Sequence, residues 1–293
     1  MMEDIESATP ALCRLQLGAE LRRLRRDAGL KSGQVAKRLL WSPSKLTRLE
    51  SGDNVVVEPD DTAALCALYG ADPDTRSLLN TYATVTKTKQ DRWDEPRDQP
   101  SVRPGLHAFI GIEASAASVR VYASEYVPGL LQTATYARET HRAAPMRFSS
   151  EEIEVRVAAR TARQGLLLRE EKPLESYFIL NESLLRRRAM GREATREQLR
   201  HIAEVSTLHN VRVQVLPYSA GLHNSMACSF SLFRFTKVSA SEPIVYLENM
   251  PSRALIGYAS VVDEYERAFS DLLGLSLSPH DSLDMIRMTI EEL

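Results

Sequence analysis

Ten lysine and arginine side chains lie between Arg14 and Arg48, opposed only by Glu20 and Asp27. Cations at that density do one kind of chemistry well: they neutralise a polyanion, the nucleic-acid backbone above all. Lys45 and Arg48 stand three residues apart, which on a helix puts them on one face. The residue types that carry catalysis are scattered by contrast. His107, His141, His201, His209, His223 and His280 occur singly, without H-x-x-x-H or H-E-x-x-H spacing. Cys13, Cys66 and Cys228 are far apart and form no C-x-x-C pair. The chain contains no G-x-S-x-G, no G-x-x-x-x-G-K-[ST] and no G-x-G-x-x-G following a strand. The expectation is a protein that is not an enzyme, with no metal and no cofactor, whose thiols stay reduced and mostly buried in the cytoplasm.

The elements that must position the cations come next. The chain has 293 residues, enough for two ordinary domains, and its 43% hydrophobic and 26% charged content is that of a globular protein. No apolar run approaches the roughly 20 residues of a membrane span. The opening MMEDIESATP is acidic and polar, unlike a signal or transit peptide. The formal net charge of −2 divides unevenly. Residues 1–48 hold 10 basic and 5 acidic side chains, a net of +5, which leaves −7 for the remainder. From this division the larger, C-terminal part is expected to avoid nucleic acid and face another partner.

Leu17, Leu21 and Leu24 recur at helical spacing, and Asp27-Ala28-Gly29 ends that helix with a glycine free to turn left-handed. Ser32 is the expected N-cap of a short second helix with Val35, Ala36 and Leu39 apolar. Ser42-Pro43 opens a third over 43–50, with Leu46 and Leu49 inward. The two short helices are joined by Leu39-Leu40-Trp41-Ser42, a length suited to a helix-turn-helix. Glu58-Pro59-Asp60-Asp61 opens a fourth helix that closes at Gly70. Asp72-Pro73 opens a fifth that runs to about Lys87.

Residues 17–70 resemble the phage-repressor helix-turn-helix family (Cro/C1-type, or xenobiotic-response-element). LRRLR…AGL, QVAKRL, SPSKLTRLESG and a helix ending in Leu-Tyr-Gly carry the likeness in order and spacing. Leu40 departs from it, since the family usually has glycine there. The resemblance implies that the third helix enters the major groove of double-stranded DNA. Pro43, Ser44, Lys45, Thr47 and Arg48 then face the DNA, with Arg48 placed for a bidentate contact to guanine. Ser32 and Gln34 would bind phosphate or orient a recognition side chain, and Arg22, Lys31, Lys37 and Arg38 would contact the backbone. Arg25 and Glu50 occupy the positions of a structural ion pair. A homodimer is implied, because one such helix covers only a half-site.

Residues 87–105 are polar with three prolines and read as a linker between a domain at 12–86 and one at 106–293. In the second, helices are expected over 109–117, 130–143, 150–170, 195–208, 258–273 and 284–292. Strands are expected over 118–124, 176–180, 211–216, 229–235 and 244–247. The fold class is therefore multidomain: an all-α five-helix domain followed by an α+β, mixed-sheet domain. This second part resembles the C-terminal domain of a large group of actinobacterial helix-turn-helix regulators, often encoded beside small partner proteins, whose biochemical role is poorly defined. The cues are YVPGLLQT, N-E-x-x-L and NVRVQVLPYSAGLH. Tyr126, Gln132, Glu182, His223 and Glu248 fall at strand ends or element starts and are the candidates for an effector or partner site. The combined reading is a sequence-specific transcription regulator modulated by a small partner protein or a small-molecule effector. The alternative is an interaction module that sequesters a partner protein, with DNA binding secondary.

Overall fold

The computed structural model describes residues 10–52, 56–88, 104–144, 148–188, 190–235, 243–249, 252–257 and 259–293. The chain forms two compact units.

The first unit holds α1 (Pro10–Asp27), α2 (Ser32–Arg38), α3 (Pro43–Ser51), α4 (Pro59–Tyr69) and α5 (Pro73–Thr88). Leu17, Leu21, Val35, Leu46, Leu49, Leu65, Leu79 and Tyr82 form its core, the apolar positions of each helix turned inward. Gly18 sits in the middle of α1, where glycine ordinarily weakens a helix. Its reason is packing: a Cβ there would lie 2.6 Å from the Leu49 carbonyl oxygen and 2.9 Å from that of Glu50. The close crossing of α1 and α3 therefore requires glycine. α1, α3 and α4 end as the sequence indicates, with Gly29, Gly52 and Gly70 all at positive φ.

A sixth helix, α6 (Pro104–Ser115), packs against α1 and falls in this compact unit. Most of the linker predicted at 87–105 lies outside the described residues.

The second unit is a six-stranded mixed sheet with helices. In chain order it contains β1 (Ser118–Ala123), α7 (Ala134–Arg142), α8 (Ser150–Ala162), β2 (Glu175–Asn181), α9 (Glu182–Arg186), α10 (Arg192–Val205), β3 (Val211–Leu216), β4 (Phe230–Arg234), β5 (Ile244–Asn249), β6 (Ser252–Ile256), α11 (Ala259–Leu275) and α12 (Pro279–Glu291). The sheet order is β3-β2-β1-β4-β5-β6. β1, β2 and β3 are parallel, joined by helical crossovers, with Val121 opposite Phe178 and Phe178 opposite Val213. β4, β5 and β6 continue from β1 as an antiparallel meander, with Tyr122 opposite Phe230 and Phe230 opposite Leu247. Tyr122, Ile179, Leu216, Phe230 and Leu232 from one face of the sheet pack with Val262, Phe269 and Leu272 of α11. The outer edge of β3 is occupied: Leu277 N donates to Val215 O at 2.9 Å, and Val215 N donates to Ser282 Oγ at 2.9 Å.

Three sequence expectations differ. The helix expected over 130–143 is a 3-10 turn over Gly129–Leu131 followed by a helix that begins only at Ala134. The helix expected over 150–170 stops at Ala162 and tightens into a 3-10 turn over Arg163–Leu166. The hairpin strand β6 was not expected, because Ser252–Ile256 is short and its alternation weak.

Burial within this unit sets one pH response. His141 is packed at 6.3 Å against the Phe148 ring, and its pKa falls to about 4, through burial first and then the positive charges of Arg160 and Arg156. The unfolded chain protonates this imidazole near pH 6.5, the folded one only near 4. Its contribution to stability is therefore full above about pH 6.5 and lost as the pH falls to 4. His141→Phe should flatten the unfolding midpoint of the large unit across that window, read by urea titration at several pH values.

Candidate nucleic-acid interface

Ser42 caps α3, its Oγ accepting from Lys45 N at 3.3 Å, and Pro43 takes the first helical position. Leu46 and Leu49 anchor the inner face in the core. The outer face then carries Pro43, Ser44, Thr47 and Arg48, all exposed. Ser44 Oγ lies 3.1 Å from Ser42 Oγ, and the Thr47 hydroxyl donates to Pro43 O at 3.1 Å. Arg48 makes no side-chain hydrogen bond or ion pair among the described residues. Its guanidinium is thus available to a ligand at no cost in broken contacts.

Lys45 is placed differently from the expectation. Its Nζ lies 2.7 Å from Asp61 on α4 and 4.1 Å from the centre of the Trp41 ring. These two contacts hold the ammonium at the rim of the face, braced between the turn and α4. Arg22, expected to contact phosphate, is likewise engaged elsewhere. Its guanidinium donates to the Glu50 carbonyl oxygen and lies 3.7 Å from the Glu50 carboxylate. Arg22 and Arg25 are three apart on α1, so both meet the C-terminal end of α3, whose last carbonyls attract cations. Arg25 completes the knot. Its Nε and Nη2 donate to Glu50 Oε1 and Oε2 at 2.6 and 2.8 Å, and its Nη1 donates to Leu30 O at 2.9 Å. The structural pair expected at Arg25 and Glu50 is present.

Lys31, rather than Ser32, is the N-cap of α2. Gln34 closes that end by accepting from Lys31 N at 2.8 Å, so its side chain has a local role. Ser32, Lys31, Lys37 and Arg38 are exposed.

Between α2 and α3 the chain turns through Leu40, which has φ 56° and is 93% exposed. Trp41 N donates to Ala36 O at 2.8 Å and Leu40 N to Lys37 O at 3.4 Å. That bond pattern closes a helix around a left-handed residue, the position where glycine is free of strain. Leu40→Gly should therefore stabilise the first unit, by about 0.5–1 kcal/mol once the extra freedom of the unfolded glycine is deducted. A rise in the urea midpoint at unchanged slope checks it.

The charge around this face is local. Residues 49–105 contain 6 basic and 11 acidic side chains, whereas residues 106–293 contain 21 and 23. The −7 set against the basic block therefore lies mainly beside it in sequence, and the large domain is close to neutral. The expectation that the large domain's acidity keeps it from DNA is corrected accordingly.

The effector candidates of the second unit divide. Tyr126, Glu182 and His223 lie at the C-terminal edge of β1, β2 and β3, and Glu248 stands at the same edge on β5. Tyr126 is exposed, and the Glu182 carboxylate accepts from Tyr218 N at 2.9 Å and pairs with Arg186 at 3.2 Å. Gln132 is buried and braces the preceding turn. It donates to Val127 O at 2.7 Å and accepts from Arg160 at 3.0 Å. It holds the scaffold and leaves no group for a ligand.

Residues 106–288 match the family model described as Domain of unknown function (DUF5753), and residues 16–79 match the one described as Helix-turn-helix domain. No curated protein matches the chain, and no solved structure matches it. The first unit is thus a helix-turn-helix domain, with α2 and α3 as its pair. Among the described residues no helix is long and apolar enough to cross a membrane.

Proposed function

We propose, from a chain that belongs to the DUF5753 family and carries a helix-turn-helix domain ahead of that region, that the protein is a sequence-specific regulator of transcription. It is of the Cro/C1 type, from the actinobacterial group of such regulators, and works in the cytoplasm. It binds a pseudo-palindromic operator as a homodimer, each copy laying α3 in the major groove. Arg48 reads a base edge, Ser44 and Thr47 make shorter contacts, and Lys31, Lys37 and Arg38 contact phosphates. The large domain is not catalytic and needs no metal or cofactor. It modulates the small one by taking up a small partner protein or a small-molecule effector. The observation that carries the reading is the exposed face of α3, with an unengaged arginine at its centre and the exposed cations of α2 beside it. Gel-shift titration against duplexes selected from a random pool tests it. Equal affinity for selected and scrambled duplexes overturns it.

A second reading makes the large domain an interaction module that sequesters a partner, with DNA contact secondary. It is favoured by the exposed apolar side chains Tyr126, Tyr218, Leu222 and Met226 at one edge of the sheet. Under that reading, removing the large domain's exposed edge residues abolishes partner capture and leaves duplex affinity unchanged.

A further inference from the structure

The chain between β3 and β4 runs from Pro217 to Ser229 and must pass over the C-terminal ends of β2 and β1, since β4 pairs on the far side of β1. The order β3-β2-β1-β4 carries this segment across the C-terminal ends of the parallel strands, the edge at which open α/β sheets bind ligands. The segment opens with a 3-10 turn over Tyr218–Ala220. It carries no charged residue.

The strap is fastened at three places. Tyr218 N donates to Glu182, Asn224 Nδ2 donates to Asp271 at 3.1 Å, and Ser229 Oγ lies 2.9 Å from Ser124 Oγ. Between the first two, Gly221 has φ 69° and ψ −143°, a conformation open essentially to glycine alone. Leu222 beside it is 90% exposed, while His223 turns inward.

Under the strap a relay of polar groups is left open at one end. The Tyr122 hydroxyl, beside the Asn181 side chain, lies 3.4 Å from His223 Nε2, with the two rings edge to face at 5.7 Å. The Tyr122 hydroxyl is placed to donate its proton to Nε2. The neutral imidazole then carries its own proton on Nδ1. That nitrogen is sealed from solvent and has no hydrogen-bond partner among the described residues. An N–H donor buried without an acceptor costs about 1–3 kcal/mol, which an incoming oxygen would recover.

We propose that the strap closes over a binding site for an uncharged, flat small molecule bearing a carbonyl or hydroxyl oxygen, and that His223 Nδ1–H holds that oxygen. Gly221 lets the strap lift for entry, and the exposed Tyr126, Tyr218 and Leu222 at the same edge supply apolar surface for the ring. The uncharged strap selects against ionic ligands. This deepens, and rests on, the reading of the large domain as the regulated half.

Coumarin is a suitable probe, with naphthalene as its counterpart lacking oxygen. In full-length protein labelled with 15N-histidine, coumarin should shift the His223 nitrogens. It should also bind wild type about five- to tenfold tighter than His223→Phe, the worth of one hydrogen bond. Naphthalene should bind both equally. Tyr122→Phe keeps the ring packing but frees the tautomer, and should weaken coumarin by an intermediate factor. His223 resonances unmoved at saturating coumarin, or equal affinity for wild type and His223→Phe, overturn the proposal. The wild-type spectrum decides even where a variant fails to fold. Anisotropy on a selected duplex separates the two claims. Coumarin bound at His223 without effect on duplex affinity supports the site and removes its regulatory role. An unmoved His223 beside intact duplex binding removes the site alone.

Discussion

Glu50→Ala is expected to destabilise the first unit by about 3–5 kcal/mol, the usual cost of deleting one partner of a buried ion pair. The residue is buried, and its carboxylate is the meeting point of Arg25, in two-point contact, and of Arg22. Its removal leaves two guanidinium groups from α1 converging on the carbonyl end of α3 without the carboxylate between them. A loss of that size is a large fraction of the stability of a small domain. The variant should therefore be substantially unfolded at mild urea concentrations, and its duplex affinity should fall with the folded fraction. Arg22→Met, Arg25→Met and Glu50→Met together should recover most of the loss, because apolar replacement of a whole buried ion-pair group is often neutral. A urea midpoint for Glu50→Ala within 0.5 M of wild type contradicts this account of the knot.

Arg48→Ala is expected to leave stability unchanged and to weaken binding to a selected duplex by about 1–3 kcal/mol, roughly 5- to 150-fold. No contact within the protein is lost, since the side chain is exposed and unengaged among the described residues. Specificity should relax at one base pair while affinity for unrelated duplexes changes little. Lys45→Ala is a useful contrast. Its ammonium is already held by Asp61 and Trp41, so it acts as a brace of α3 and its loss should lower affinity modestly for all sequences alike. Gel-shift titrations on matched and single-mismatch duplexes separate the two. An Arg48→Ala protein that weakens every duplex equally would reassign Arg48 to phosphate contact.

The helix-turn-helix was legible because local signals agree over a short stretch. The leucine spacing, the Ser42-Pro43 cap and the terminal glycines each have one physical meaning, and all are found where they stand. What was hidden depends on distance along the chain. Lys45 meets Asp61 sixteen residues away and Arg22 meets Glu50 twenty-eight away, so helical periodicity alone gives no sign that these cations are occupied. Leu40 shows the opposite case. The sequence marks a tight turn with a residue poorly suited to it, and the chain adopts the left-handed conformation regardless, because the backbone bonds of the turn require it.

In the large unit the five strands anticipated are present, since alternation and branched residues mark them. Their order is not in the pattern. Only the sheet topology brings Tyr126, Glu182 and His223 to one edge and exposes the strap as a crossing over β1 and β2. Gln132 looked equally suited to that edge, but its amide is consumed by Val127 and Arg160. Charge was misleading for a related reason. A total taken from Leu49 to the C-terminus merged an acidic stretch with a nearly neutral domain.

The central claim is that the exposed face of α3 reads DNA sequence through Arg48. Selection of bound duplexes from a random pool, run in parallel with wild type and Arg48→Ala, tests it most directly. The account predicts a pseudo-palindromic motif for wild type, with a guanine in each half-site that the variant no longer requires. A pool that returns unenriched, or the same motif with the same guanine from both proteins, contradicts it.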